Sequence, residues 1–157
     1  MVQRVYLETS IISYLAARPS RDLVTAARQQ LTHEWWALRR AAFEVCVSEL
    51  VIVEAAAGDP DAADRRAQFI RDIALLSITD EAVVLAQKLV EAARLPTRAA
   101  ADALHISVAA VHGIDYLLTW NSTHIANAEF RPKVEQACRN SGFEPPVLCT
   151  PDELMGS

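Results

Sequence analysis

Strands alternating with helices along the whole chain predict an α/β fold, a three-layer α/β/α sandwich with a mostly parallel central sheet. Three observations carry that expectation. Short β-branched and aromatic runs such as "RVYLET" and "IDYLLTW" alternate with longer stretches whose apolar residues recur at helical spacing. Polar residues open those longer stretches, and Gly or Pro closes most of them. The composition, 52% apolar and 22% charged over 157 residues, is that of a globular protein able to bury a sizeable core.

The elements follow in order. "RVYLET" reads as a strand, and "TSIISYLAARPS" as a helix that ends near Arg18, before Pro19. Ser20 and Asp22 are placed to cap a second helix, "RDLVTAARQQLTHEWWALRRAAF", where Leu23, Ala27, Leu31, Trp35 and Leu38 predict a core-facing stripe. "FEVCVS" is a short strand. Ser48 can cap the helix "ELVIVEAAA", which stops at Gly58 ahead of Asp59 and Pro60. "PDAADRRAQFIRDI" is helical and "ALLSI" strand-like. "TDEAVVLAQKLVEAARL" opens on a Thr cap with acids in its first turn and halts at Pro96. "RAAADALHISVAAVHG" is an Ala-rich helix closed by Gly113, "IDYLLTW" a strand, and "PPVLCT" a last strand before the tail "PDELMGS".

No linker or internal repeat interrupts this alternation, which predicts a single domain over residues 1–157. The longest apolar stretches, such as "VAAVHGIDYLL", fall well short of the roughly 20 residues that span a bilayer. The N-terminus carries no apolar core followed by a small-residue cleavage site, so a cytoplasmic protein is expected. Cys46, Cys138 and Cys149 are far apart and odd in number, which predicts packed, reduced thiols. A net charge of −5 argues against a generic nucleic-acid binder and leaves contact to a local basic patch or an acidic, metal-loaded nuclease site.

In open parallel sheets the ligand site lies beyond the carboxyl ends of the strands, near the point where strand order reverses. Glu8 stands at such an end, Glu54 on the helix after the second strand, Asp102 early in the Ala-rich helix, and Asn121 after "YLLTW". A carboxylate on an otherwise apolar element costs several kcal/mol if buried alone, so it needs a cation, a partner or solvent. Mg²⁺ and Mn²⁺ take hard oxygen ligands, and phosphate oxygens can complete their shell; the matching reaction is metal-assisted phosphodiester hydrolysis.

Each residue also has a plainer explanation. Glu8 can be a helix N-terminal charge, and Thr9 and Ser10 caps. Glu49 and Glu54 lie about 140° apart on a helix, which leaves Glu49 as a first-turn charge, while Glu54 can occupy a solvated face. Asp102 can be exposed early in its helix. His105, in its Ala-rich helix, fits a packed, hydrogen-bonded residue better than a base, and His124 in "NSTHIAN" fits a capping role. Of the adjacent Trp35 and Trp36, one should pack and the other be more exposed. Trp120, beside Asn121, can stack on a base or simply pack. The segment from Asp22 to Phe43 is a candidate partner surface, with core packing the plainer role.

"VYLETSIISYL", "VSELVIVEAAAGDP", "DALHISVAAVHGIDYLLTWNSTHIAN" and "VLCTPDEL", in that order and spacing, resemble a PIN domain of the VapC toxin type. The resemblance covers essentially the whole chain. It implies the three-layer fold, commonly a homodimer, with Mg²⁺ or Mn²⁺ held by an acidic cluster that cleaves RNA, and an antitoxin partner that blocks the site. It makes Glu8, Glu54 and Asp102 the metal-holding and catalytic acids and Ser10 a hydroxyl near the first of them; in the active reading Asn121 orients the metal or a water, with Thr119 and His124 in support. Arg18, Arg21 and Arg98 are candidates for backbone phosphates, or simply solvated.

Two departures stand out. The family ordinarily has aspartate where this chain has Glu8, and further aspartates where it has "TWNSTHIAN". An amide ligates a hard cation without offsetting its charge, so a second metal should bind weakly. The competing expectation is a catalytically weak PIN-like module acting through RNA or protein partners.

Overall fold

In the computed structural model, which describes residues 1–156, five strands form one all-parallel sheet. They are β1 (Arg4–Leu7), β2 (Glu44–Ser48), β3 (Ala74–Leu76), β4 (Tyr116–Leu118) and β5 (Val147–Cys149), in the order β3-β2-β1-β4-β5. Seven α-helices lie among the described residues: α1 (Thr9–Ala16), α2 (Leu23–Leu38), α3 (Glu49–Ala55), α4 (Pro60–Ile70), α5 (Asp80–Ala93), α6 (Ala100–Val111) and α7 (Arg131–Asn140). They form two packed groups, α1 against α2, α3 and α4, and α5 against α6 and α7. This is the expected three-layer α/β/α sandwich. Among the described residues no helix is long and apolar enough to cross a membrane.

The central strands read as they must when both faces are covered. Val5, Tyr6 and Leu7 of β1 and Leu117 and Leu118 of β4 are fully buried, and Tyr6 registers with Cys46 on one side and Leu117 on the other. Strands β1 to β3 build outward in one direction and β4 and β5 in the other. The reversal between β1 and β4 opens the sheet's carboxyl edge at Glu8 and Thr119, where the Glu8 N–H donates to the Leu118 carbonyl at 3.0 Å.

Local capping explains most boundaries. Asp22 accepts from the Thr25 N–H, Asp59 from Ala62 and Thr79 from Ala82, satisfying donors that the first helical turn leaves free. Gly113, at φ +69°, takes the left-handed turn after α6 that side chains other than glycine resist. Ser48 departs from its expected role: it stands at the N-cap of α3 but makes no cap bond, because its hydroxyl turns inward to Tyr6.

The stripe on α2 is corrected. Its buried face is Gln29, Thr32 and Trp35, whereas Leu23 (86% exposed) and Leu38 (71%) face solvent. Gln29 is drawn inward because it ties down the preceding loop, donating to the Arg18 carbonyl and accepting from the Ser20 N–H, each at 2.9 Å. Trp35 packs fully and Trp36 is half-buried, as their adjacency requires. Helix α7 has no counterpart in the sequence reading: its apolar side is only Val134, Ala137 and Cys138, too short a stripe to register. The tail opens with a 3₁₀ turn, Pro151–Leu154, and its last residue lies outside the described residues.

All three cysteines are free and buried. Burial pushes the thiols of Cys46 and Cys149 up to about 12 and that of Cys138 to about 11. A thiolate is the reactive form, so native protein at pH 8 should leave a disulfide reagent such as DTNB unconsumed over minutes, while denatured protein should consume three equivalents. Rapid reaction of any thiol in the native state would contradict this packing.

Candidate functional site

The site is built at the β1–β4 reversal by the residues that follow each strand. Glu8 ends β1 as the N-cap of α1, its side chain accepting from the Ser10 N–H at 3.1 Å. The same carboxylate receives the Ser10 hydroxyl at 2.5 Å and the Thr119 hydroxyl at 2.6 Å. Each hydroxyl is itself fed by a backbone donor from the segment after β4, Trp120 N–H to Ser10 and Asn121 N–H to Thr119, both at 2.9 Å. Two short relays therefore converge on one carboxylate that is only 6% exposed. Among the described residues no Lys, Arg or His pairs with it. Hydrogen bonds from neutral donors orient a buried carboxylate but do not balance its charge.

Glu54 comes from α3. Its Oε1 accepts from the Thr9 hydroxyl at 2.5 Å and is 2.6 Å from His105 Nε2 on α6. Burial pushes this carboxyl up, but His105 and the Thr9 hydroxyl outweigh it and hold Glu54 below the usual carboxylate range. Glu8, Glu54 and His105 each offer a ligand atom, all within 4.8 Å of one another. That is the span of a single ion's coordination shell; the two carboxylates supply hard oxygen donors suited to a divalent cation, while the nearby nitrogen of His105 is engaged with Glu54 Oε1.

His105 is fully buried; its Nδ1 lies 2.6 Å from the Tyr6 hydroxyl, and Tyr6 is 2.8 Å from the Ser48 hydroxyl. The packed, hydrogen-bonded histidine expected from sequence is found, with the addition that its partner is a site carboxylate.

The remaining candidates make contacts of their own. Asp102 lies three positions before His105 on α6, and its carboxylate is taken by His124 Nδ1 at 2.9 Å. Asn121 turns its side-chain oxygen back on its own loop, accepting from the N–H groups of Thr123 and His124. Glu49 is exposed and accepts from the Ile78 N–H, away from Glu54. Arg18, Arg21 and Arg98 are all exposed. Trp120 donates from Nε1 to Thr32 at 2.7 Å, with Tyr14 and Arg28 packed on its ring, so it binds α1 and α2 to the loop after β4.

The PIN domain family matches residues 5–129. The chain belongs to that family. Among solved structures it is similar to VapC20 of Mycobacterium tuberculosis, described as a sarcin-ricin loop cleaving toxin. The two are 16% identical with a TM-score of 0.60, over 90% of this chain and 99% of that one, a likeness of fold. No curated protein sequence matches.

The family match spans every residue of the acidic site, from Glu8 through Asn121 to His124, and stops before α7 and β5. Within this PIN domain, sequence reasoning passed over Tyr6 and Ser48. Only one signal pointed to Tyr6: a phenol on a fully buried central strand must find a partner for its hydroxyl.

Proposed function

We propose that this PIN-domain chain is a divalent-metal-dependent endoribonuclease, the toxin of a toxin–antitoxin pair. In this reading it forms one domain over 1–157, works in the cytoplasm as a homodimer and is held in check by a cognate antitoxin. The observation that carries the reading is Glu8, a buried carboxylate held by three neutral donors, beside Glu54 and with no cationic side chain to balance it. Family membership and the VapC20-like fold support the choice of RNA as substrate.

Glu8 and Glu54, which lie together, would hold Mg²⁺ or Mn²⁺ with Asp102, which is oriented by His124. When bound, the ion supplies an activated water and neutralises charge at the phosphate. The protein's own part is positional. Ser10 and Thr119 fix Glu8, Thr9 fixes Glu54, and His124 fixes Asp102. Asn121 shapes the loop after β4 that carries His124 and, through its own N–H, polarises Thr119.

The competing reading, a catalytically weak RNA- or protein-binding module, is favoured by one observation: Asp102 is already paired with His124, and the Asn121 oxygen is spent on its own loop. Calorimetric titration with Mn²⁺ and Mg²⁺, paired with cleavage of a panel of structured RNAs, separates the two. The wild type should bind metal and cut RNA, and Asp102→Asn should lose both. No binding at millimolar metal together with intact RNA would leave the partner-binding module.

A further inference from the structure

We infer that Tyr6 and His105 are positioning residues that hold the Glu54 carboxylate in the orientation needed to take up a divalent ion. The inference rests on the metal-site reading above and extends it to residues that touch neither metal nor RNA.

An ionised carboxylate only accepts, so at 2.6 Å from Glu54 Oε1 the His105 Nε2 donates. The other ring nitrogen, Nδ1, shares a hydrogen bond with the Tyr6 hydroxyl at 2.6 Å, and that hydroxyl shares another with Ser48 at 2.8 Å. A hydroxyl both donates and accepts, so either direction leaves Tyr6 paired on both sides. The result is a continuous chain from Ser48 through Tyr6 and His105 to Glu54, spanning β2, β1, α6 and α3.

Its first three members are fully buried. A buried network with every member paired has one geometry, because breaking any bond orphans a polar group in a low-dielectric interior. The ring planes of Tyr6 and His105 meet edge to face at 65°, with centroids 5.8 Å apart, so packing holds the imidazole as well. At the far end, Oε1 of Glu54 receives both His105 and Thr9, and among the described residues no hydrogen bond engages Oε2. Two donors on one oxygen stop the carboxylate from rotating and leave the other oxygen free. Partners of this kind around a metal-holding carboxylate typically set affinity by about 10–100-fold.

The test is calorimetric binding of Mn²⁺ and of Mg²⁺ to the wild type and to Tyr6→Phe, His105→Leu and His105→Gln, each first shown to be folded by circular dichroism. Gln retains an N–H near the position of Nε2, whereas Leu does not. Expected is a loss of roughly 10–100-fold in affinity for both ions in Tyr6→Phe and His105→Leu, with part of it restored in His105→Gln. The ratio of Mn²⁺ to Mg²⁺ affinity should stay as in the wild type.

Three results would overturn the inference. Equal affinity in folded Tyr6→Phe and wild type would reduce the chain to core packing. A selective loss of Mn²⁺ in both His105 variants would make His105 a ligand, since a nitrogen donor favours Mn²⁺ over Mg²⁺. A wild type that binds neither ion would sink the metal-site reading itself, an outcome distinct from the other two.

Discussion

Glu54→Gln is expected to cut metal-dependent RNA cleavage by roughly 10²–10⁴-fold, the range that corresponds to the several kcal/mol an electrophilic metal contributes to charge stabilisation in such reactions. The substitution is close to isosteric. The Gln side chain keeps an oxygen able to accept from Thr9 and His105, so the contacts between α1, α3 and α6 survive while one negative charge is lost. Cleavage at the wild-type rate would exclude Glu54 from the metal site.

The same variant has a signature that needs no RNA. The Glu54 carboxyl is held below its ordinary value of 4.5 in the folded chain by His105 and Thr9, despite burial. A group depressed in this way stabilises the fold above its unfolded value, and that contribution is lost as pH falls through the folded one. The wild type should therefore melt above Glu54→Gln at pH 7, and the gap should close on acidification through and below about pH 4.5. The measurement is a pair of thermal melts at each pH in metal-free buffer. A gap that persists unchanged into acid would mean that the Glu54 charge is not favoured by its neighbours.

What the sequence made legible, and what it hid, divides along the range of the interactions. The alternation of strand and helix, the Thr79 cap and the stop at Gly113 are local signals, written within a few residues of where they act, and all appear in the structure. The α2 stripe failed because spacing finds an apolar face without weighing it against a polar residue with a fixed duty. Gln29 anchors the loop before its helix, and that rotates Leu23 and Leu38 outward. Ser48 reads as a cap by position, yet its hydroxyl serves Tyr6, 42 residues away, and Tyr6 serves His105, 99 residues on. Such pairings arise only when β1, β2 and α6 meet, and no window along the chain contains them. Glu8 was legible because it breaks a local rule: a carboxylate directly after a buried apolar strand conflicts with its surroundings unless something offsets it.

Leu7→Ala is expected to be the most destabilising of single apolar truncations near the site, costing about 2–5 kcal/mol out of a total near 5–15 kcal/mol for a domain of this kind. Leu7 is fully buried, closes the central strand, and registers with Leu118 of β4 across the strand-order reversal. A truncation there removes packing on a strand covered by helices on both faces, where the neighbours can collapse little. At about 2–4 °C per kcal/mol for a chain of this length, the melting temperature should fall by roughly 4–20 °C. Leu38→Ala is the contrast. Its side chain is 71% exposed, so the change should stay within about 0.5 kcal/mol despite removing the same atoms. Equilibrium urea unfolding of both variants checks the pair, with midpoints compared at equal slope. Because Leu7 directly precedes Glu8, the cavity also loosens the strand end that presents the carboxylate to Ser10 and Thr119. Folded Leu7→Ala protein should therefore bind Mn²⁺ more weakly than the wild type, and Leu38→Ala should bind it equally well. Equal urea midpoints for Leu7→Ala and Leu38→Ala would mean that the β1–β4 junction is not the packed centre of the sheet.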